Sequence, residues 1–282
     1  MPGKEREFSW VEGLAFCLAA IANQLTSEAT AQWGTYFYSP SDTGRRIIYI
    51  GLNLVWLVFL TGRIVDGVTD PLIGAWSDGT STGRTRPWYF GPKGRRRPWV
   101  FWGSILMLFT FTAMWFPPVQ EESVLNFVYA LFIVSLHWVA WTICVIPLNS
   151  LLPEVARSQA ARVKLGTWFA VGLIIGLALV EIALPQMVKF LDPARHVEGA
   201  EVFSPLGYQR SAIILGLVAL ASFQFFVWTV RERHESAPGE QERHPAMGEI
   251  LSALKSRVCL LFVATFFFQS MAVLSVQKAL PY

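Results

Sequence analysis

Residues 63–78 read RIVDGVTDPLIGAWSD and close a strongly apolar run that begins near Ile47. The run is long enough to cross a bilayer, so it carries a guanidinium and two carboxylates into an apolar solvent, where unpaired charges are costly. Arg63, Asp66 and Asp70 are spaced i, i+3, i+7 and therefore share one face of a helix. Charges placed in this way predict a functional cluster. The alternative is a salt bridge at the membrane edge that assists insertion, for which a single Asp would suffice.

The composition is typical of a membrane protein. Hydrophobic residues make up 53% of the 282 residues and charged residues only 15%, whereas soluble domains carry about 25% charged residues. The 12 Trp and 21 Phe fit anchors at a membrane interface. A net charge of +3 is too small to indicate nucleic acid as a partner, and the three cysteines lack the spacing of a metal site.

Hydropathy predicts an all-α integral membrane protein with seven spans, each of roughly the 20 residues that a bilayer requires. The spans are expected at residues 12–38, 47–76, 98–117, 124–148, 164–186, 210–230 and 258–280. In the first span Gln24, Glu28 and Gln32 recur at every fourth residue and form a polar stripe. Such a stripe must face protein or water rather than lipid.

The distribution of Lys and Arg predicts the orientation. The loops after the second, fourth and sixth spans are basic, whereas residues 117–123 contain neither Lys nor Arg. The positive-inside rule then places the N-terminus and the basic loops in the cytoplasm of a multi-pass protein of the cell membrane. We expect a six-helix bundle over residues 1–230, a polar cytoplasmic linker over 231–257 and the start of a second bundle over 258–282.

Other embedded residues have mainly structural interpretations. His137 could relay protons, but a hydrogen-bonded contact between helices is favoured. Glu181 is expected to reach the membrane interface. Close packing of the fifth span against a neighbouring helix is predicted by three small residues, Gly166, Gly172 and Gly176.

Two motifs connect the chain to a known family. One reads DxxxDPxxGxxSD over residues 66–78, with GRRRPW at 94–99, and the other reads IPxxSLxPE over 146–154, followed by Arg162. Together they resemble the signature of the glycoside-pentoside-hexuronide:cation symporters (melibiose permease-like) of the major facilitator superfamily. Members of this family have twelve helices in two six-helix bundles. The resemblance implies that the chain is the N-terminal half with the seventh helix, a fragment or truncated product whose C-terminal bundle lies in the same or another chain.

The resemblance also implies a cation site. Asp66 and Asp70 match the two acidic residues that bind the coupling cation in sugar symporters, and Thr69 and Thr142 match positions near that cation. Oxygen ligands suit Na⁺, as they suit hard cations in general, and the same pair could instead bind H⁺. Two like charges one turn apart repel each other in a low dielectric, which a proton, Na⁺ or Arg63 could relieve. No other cofactor is implied.

The implied solute is a sugar or glycoside, but the recognition groups differ from those of galactoside-binding members. Val145 stands at the place of an acidic residue and Asn149 at that of an aromatic residue. We expect the cavity to be lined by Gln24, Glu28, Arg63 and Asn149, where Glu28 either contacts solute or proton or pairs with Arg63. The missing groups favour a lysolipid or another amphipathic solute as an alternative.

The basic loop after the second span predicts a cytoplasmic gate. Asp78 closes this span, and Arg95, Arg96 and Arg97 precede the third. In facilitators such charges form a bridge that stabilises one access state and breaks in the other. The alternative is that the loop only fixes the topology. Pro71 also frees a backbone carbonyl one turn earlier, which could become a further cation ligand.

The sequence therefore predicts part of a secondary transporter that couples symport of a sugar or glycoside to Na⁺ or H⁺ by alternating access. It contains no nucleophile–base pair, metal cluster or phosphate loop that indicates an enzyme. The alternatives are a lysolipid carrier of the same fold and a membrane scaffold or sensor that does not transport. We expect no transport by residues 1–282 alone, because one bundle lacks the opposing wall of the cavity.

Overall fold

The structure, a computed structural model, describes residues 8–40, 47–80, 91–193 and 204–232, together with a few residues between 256 and 268. The chain divides into two compact units, Met1–Pro238 and Gly239–Tyr282. The helices described below belong to the first unit. Most of the predicted linker and of the seventh span lies outside the described residues.

The described secondary structure is entirely helical, which confirms the predicted all-α class. The helices are α1 Trp10–Glu28, α2 Gly34–Tyr38, α3 Leu52–Asp78, α4 Arg97–Ala113, α5 Val124–Val155, α6 Gln159–Ala178, α7 Leu184–Leu191 and α8 Pro205–Thr229. Two π-helical segments continue the chain without a break: π1, Ala29–Trp33, joins α1 to α2, and π2, Leu179–Ala183, joins α6 to α7. Among the described residues these elements form six successive rods at the places of the first six predicted spans.

Four of these rods are long and apolar enough to cross a membrane. Within the described part of the chain they are α3, α5, the continuous rod Gln159–Leu191 and α8. Helix α4 has 17 residues, somewhat fewer than the roughly 20 that span a hydrocarbon core. The first rod carries the polar stripe. The multi-pass membrane character predicted from hydropathy is thereby supported by the helices themselves.

Several helices extend beyond the predicted apolar spans. Helix α5 continues past residue 148 to Val155, α6 begins at Gln159 rather than at 164, and α8 begins at Pro205 rather than at 210. Hydropathy detects the hydrocarbon core, whereas local caps set the ends of a helix. The Ser158 side chain accepts a hydrogen bond in the first turn of α6, and Pro205 occupies the first turn of α8, where a missing N–H costs nothing.

The rods alternate in direction, so the bundle has two distinct ends. At the basic end, α3 terminates at Asp78 beside the start of α4. The opposite end is closed by aromatic side chains, where the rings of Trp115 and Tyr208 stack with centroids 5.7 Å apart. There the Tyr38 hydroxyl donates to the Met114 carbonyl oxygen at 2.5 Å. These contacts join the ends of α2 and α4 to the start of α8.

Two glycines bring the backbones of α1 and α6 into contact. A Cβ atom on Gly172 would lie 2.3 Å from the carbonyl oxygen of Cys17, and one on Gly176 would lie 2.9 Å from that of Ile21. Gly166 meets nothing within 4 Å, so the prediction of close packing was wrong for this residue. It precedes Gly172 by six residues and therefore lies on another face of the helix. This contact holds α1 beside α6. It therefore also brings together π1 and π2, the segments that follow these two helices along the chain.

Candidate functional site

Asp66 and Asp70, one turn apart on α3, converge on a single hydroxyl group of α5. The Oγ1 atom of Thr142 lies 2.9 Å from Oδ1 of Asp66 and 3.1 Å from Oδ1 of Asp70. It also lies 3.0 Å from the carbonyl oxygen of Trp138, one turn back on α5. A hydroxyl carries one proton and donates it to one acceptor at a time. At least one carboxylate oxygen therefore faces the Thr142 oxygen without a proton between them, an arrangement that a bound cation or an added proton stabilises.

A second hydroxyl completes this group of oxygen atoms. Thr69 Oγ1 lies 3.4 Å from Thr142 Oγ1 and 3.2 Å from the carbonyl oxygen of Asp66. Thr142 is fully buried, while Asp66, Thr69 and Asp70 are partly exposed. An ion can thus reach the carboxylates without disrupting the packing of α3 on α5. Two carboxylates and two hydroxyls are oxygen ligands of the kind that hard cations take.

Arg63 is held beside this acidic cluster by an aromatic ring. Its Nη1 atom lies 3.7 Å from Oδ2 of Asp66, and its guanidinium carbon lies 3.9 Å from the centre of the Trp138 ring. Gly62 leaves the space that this ring occupies, because a Cβ at that position would lie 2.6 Å from Trp138 Cδ1. A separation of 3.7 Å is too long for a strong hydrogen bond. Arg63 therefore balances the charge of the acids while leaving their Oδ1 atoms directed at Thr142.

The other predicted cavity residues are more widely spread. Gln24 and Glu28 are partly buried on α1, and Glu28 lies within electrostatic range of Arg63. Asn149 is exposed on α5. Seven residues after Thr142, it lies on the same face of α5 and about 10 Å farther toward the basic end. The structure thus relates Glu28 to the acidic cluster and leaves Asn149 apart from it.

At the basic end, Arg96 joins three helices. It is only 8% exposed, and its Nη2 atom lies 2.5 Å from Oδ1 of Asp78 at the end of α3. Its Nη1 atom pairs with Glu154 near the end of α5 and donates to the Ser150 carbonyl oxygen at 2.9 Å. Arg95 adds a second ion pair with Glu154 at 2.8 Å. Glu154 is the last residue of the IPxxSLxPE motif, but no role was predicted for it from the sequence.

Arg97 differs from the other two arginines of the predicted gate. Its Nε atom donates to the carbonyl oxygen of Val227 near the end of α8 at 2.8 Å, rather than to a carboxylate. Arg97 therefore fastens α8 to the start of α4.

A further carboxylate, which the sequence analysis missed, caps the start of α4. Glu232 accepts hydrogen bonds from the backbone N–H groups of Arg95, Arg96 and Arg97 at 2.5, 2.8 and 2.7 Å. Gly94 admits this carboxylate: its φ is +139°, and a Cβ there would lie 2.6 Å from Glu232 Oε1. A helix N-terminus attracts negative charge through its free N–H groups. In the sequence, an acid among arginines just after the sixth span was the one available signal.

Two polar contacts lie inside the bundle. His137 is fully buried, with Nε2 3.2 Å from the Thr30 hydroxyl of π1 and Nδ1 3.3 Å from the Thr110 hydroxyl of α4. This is the contact between helices that the sequence favoured over a proton relay. Glu181 in π2 was expected at the membrane interface, but it accepts a hydrogen bond from Nε2 of Gln32 in π1 at 2.9 Å. The glycine contact of α1 with α6 explains this difference, since it places π1 beside π2.

Comparisons with known proteins agree with the helical membrane architecture. The chain is 24% identical over 238 residues to the inner membrane symporter YicJ of Escherichia coli (strain K12), covering 83% of this chain and 46% of that protein. It is 23% identical over 235 residues to the isoprimeverose transporter of Lactiplantibacillus pentosus, covering 82% and 44%. It is 25% identical over 270 residues to the raffinose carrier protein of Pediococcus pentosaceus, covering 93% and 40%. The chain thus spans less than half the length of these curated relatives.

A family model matches nearly the whole chain. The model described as "MFS/sugar transport protein" matches residues 15–282, which includes all the residues of the acidic cluster and of the basic end. This match, together with the symporter and carrier relatives, confirms the resemblance drawn from the two motifs. The chain belongs to the MFS/sugar transport protein family.

Proposed function

We propose that this chain is part of a secondary transporter that couples the symport of a sugar or glycoside-like solute to Na⁺ or H⁺. The observation that carries the proposal is the convergence of Asp66 and Asp70 on the Thr142 hydroxyl, which leaves room in the charge balance for one more cation. The names of the isoprimeverose transporter and the raffinose carrier protein support a sugar as the solute. The relatives' names describe transport, so no covalent chemistry is required of this chain.

The coupling ion binds between the two carboxylates. When Thr142 turns its proton to the Trp138 carbonyl oxygen, both lone pairs of the hydroxyl face the ion together with the Asp66 and Asp70 oxygens. The ion then replaces part of the charge balance that Arg63 supplies. If the ion-bound form has the higher solute affinity, linkage requires the solute to raise the ion affinity by the same factor.

The basic end acts as a gate in this proposal. It lies in the cytoplasm, together with the N-terminus, as the positive-inside rule indicates. The ion pairs of Arg96 with Asp78 and Glu154 hold α3, α4 and α5 together in one access state. Their exchange for other contacts accompanies the second state, because a conformational change requires interactions that differ between the two. The opposing wall of the solute cavity comes from a second bundle in the same or another chain.

Binding of ²²Na⁺ to the purified protein, and its competition by protons, tests the cation site without knowledge of the solute. We expect saturable binding that is lost in Asp66→Asn and in Asp70→Asn. Asp192→Asn is the matched control, because Asp192 lies outside the cluster and accepts a hydrogen bond from the Ser204 N–H, a role that Asn retains. Proton uptake that depends on either acid, without Na⁺ binding, would identify H⁺ as the coupling ion. If neither cation interacts with the pair, the symport mechanism is refuted.

A further inference from the structure

We propose that Gln32 and Glu181 form a second polar subsite of the transporter, which binds the hydroxyl groups of a neutral polyhydroxylated solute. This inference rests on the proposed function, since it names groups that hold the transported solute. It concerns π1 and π2, which are separate from the acidic cluster of α3 and α5. Gln32 is the last member of the polar stripe of α1 and π1, and Glu181 is an acidic residue for which no function was predicted from the sequence.

Both residues lie in π-helical segments. Gln32 belongs to π1 and Glu181 to π2, and the two are linked by a 2.9 Å hydrogen bond from the Gln32 amide nitrogen. Segments of this kind are rare and occur frequently at functional sites, because the wider turn redirects a side chain and alters the backbone hydrogen bonds. The two segments face each other at the contact of the first rod with the rod of α6. The hydrogen bond shows that these two side chains are directed toward each other.

Two acceptor atoms of the subsite have no hydrogen-bond donor. Gln32 is only 4% exposed, and the Oε1 atoms of both Gln32 and Glu181 are buried without a hydrogen-bond partner. Buried acceptors left without donors are uncommon in native proteins and cost free energy. Both vacancies are acceptors, so the group that satisfies them must bring two donors. Neighbouring hydroxyls of a sugar supply two O–H groups, whereas the phosphate of a lysolipid supplies only acceptors and is repelled by Glu181. This chemistry favours a sugar over the lysolipid alternative.

The subsite is also connected by charge to the acidic cluster. Glu28, on the same stripe of α1, lies within electrostatic range of both Glu181 and Arg63. Arg63 in turn lies beside Asp66. A cation bound between Asp66 and Asp70 adds a positive charge to this network, which includes Arg63 and Glu28 and extends to Glu181. Ion binding thereby affects the electrostatics of the second subsite without direct contact.

The test compares sugar binding with Na⁺ binding in Gln32→Leu and Glu181→Gln variants of the complete gene product. The probes are radiolabelled raffinose and isoprimeverose, measured by equilibrium dialysis against the purified protein, with ²²Na⁺ binding measured in the absence of sugar. Gln224→Leu is the matched control, because Gln224 also links two helices, through a 2.8 Å hydrogen bond to Ser104 on α4. Glu181→Gln can still accept the hydrogen bond from Gln32 and so preserves a purely structural link.

We expect the Kd of the bound sugar to rise about tenfold or more in Glu181→Gln, the loss typical of a hydrogen bond to a charged group, and about three- to tenfold in Gln32→Leu, the loss typical of a neutral one. The affinity for Na⁺ should remain within about twofold of the wild type, and Gln224→Leu should leave the sugar affinity unchanged. Unchanged sugar affinity in both variants would mean that the pair only links π1 to π2, which overturns the subsite and leaves the proposed function intact. A wild type that binds Na⁺ but neither sugar would instead refute the sugar as solute and the subsite with it.

Discussion

At the scale of single residues, Thr142 is the most informative side chain of the site. The spacing of Asp66 and Asp70 and the family resemblance were sufficient to predict the acidic pair from the sequence, and the resemblance also predicted Thr142 near the cation. The separation of 76 residues between Thr142 and Asp66 hides their contact from any local pattern. Only the packing of α3 against α5 reveals that one hydroxyl serves both acids, and it makes the hydroxyl rather than the methyl group of Thr142 the part that matters.

Replacement of Thr142 by Val should weaken cation binding, whereas replacement by Ser should not. Val has nearly the shape of Thr but no ligand oxygen, and the loss of one interaction with a charged group corresponds to about a tenfold or larger increase in Kd. Ser retains the oxygen and loses only a methyl group. The Kd values for ²²Na⁺, or for protons if H⁺ is the coupling ion, decide the matter. Equal affinities of the Val and Ser variants would show that the hydroxyl is not a ligand.

At the scale of helices, hydropathy predicted where the six described rods lie. It did not predict the residues at which the helices end or the faces through which they pack. The ends depend on caps such as Ser158, and the contacts depend on which face of a helix carries a small residue. Gly172 and Gly176 meet α1, while Gly166 faces open space. The π-helical segments could not be predicted from hydropathy. A π-helical turn changes the directions in which side chains point, whereas hydropathy depends only on the residue types.

The three glycines of α6 allow a controlled test of helix packing. Gly172→Ala places a methyl group against the backbone of α1 and should lower the free energy of unfolding by about 1–3 kcal/mol, the usual cost of overpacking. Gly166→Ala meets nothing and should be neutral or stabilising by up to about 1 kcal/mol, since Ala is the better helix former. Denaturant or thermal unfolding in detergent micelles measures both. Equal effects of the two substitutions would contradict the close contact of α6 with α1.

At the scale of the whole unit, the basic end joins four of the six rods, namely α3, α4, α5 and α8. The loop's positive charge was visible in the sequence, but its partners were not, because Arg96 reaches Asp78 18 residues away and Glu154 58 residues away. From the sequence, all three arginines were expected to form ion pairs of the same cytoplasmic gate. In the structure Arg95 and Arg96 share Glu154, and Arg97 binds a backbone carbonyl of α8 instead.

Glu154→Gln should destabilise the bundle more than Asp78→Asn does. The Glu154 side chain is 16% exposed and serves two arginines, while that of Asp78 is 49% exposed and serves Arg96. Loss of one partner from a largely buried pair costs about 3 kcal/mol, and loss of a half-exposed partner costs about 1 kcal/mol or less. Unfolding free energies of the two variants, with exposed Lys93→Gln as the control, measure the difference. A larger effect for Asp78→Asn would show that Glu154 is not the main anchor.

The contact of Glu232 with the start of α4 has a consequence for biosynthesis. Glu232 follows Arg97 by 135 residues, so the ribosome reaches it about 7–27 s after it adds Arg97, at the usual rate of 5–20 residues per second. During this interval, while α5, the rod of α6 and α8 are being made, the first N–H groups of α4 remain without their final acceptor. The cap can form only after α8 has been made, so this contact of the basic end is completed later than the ion pairs of Arg96 with Asp78 and Glu154.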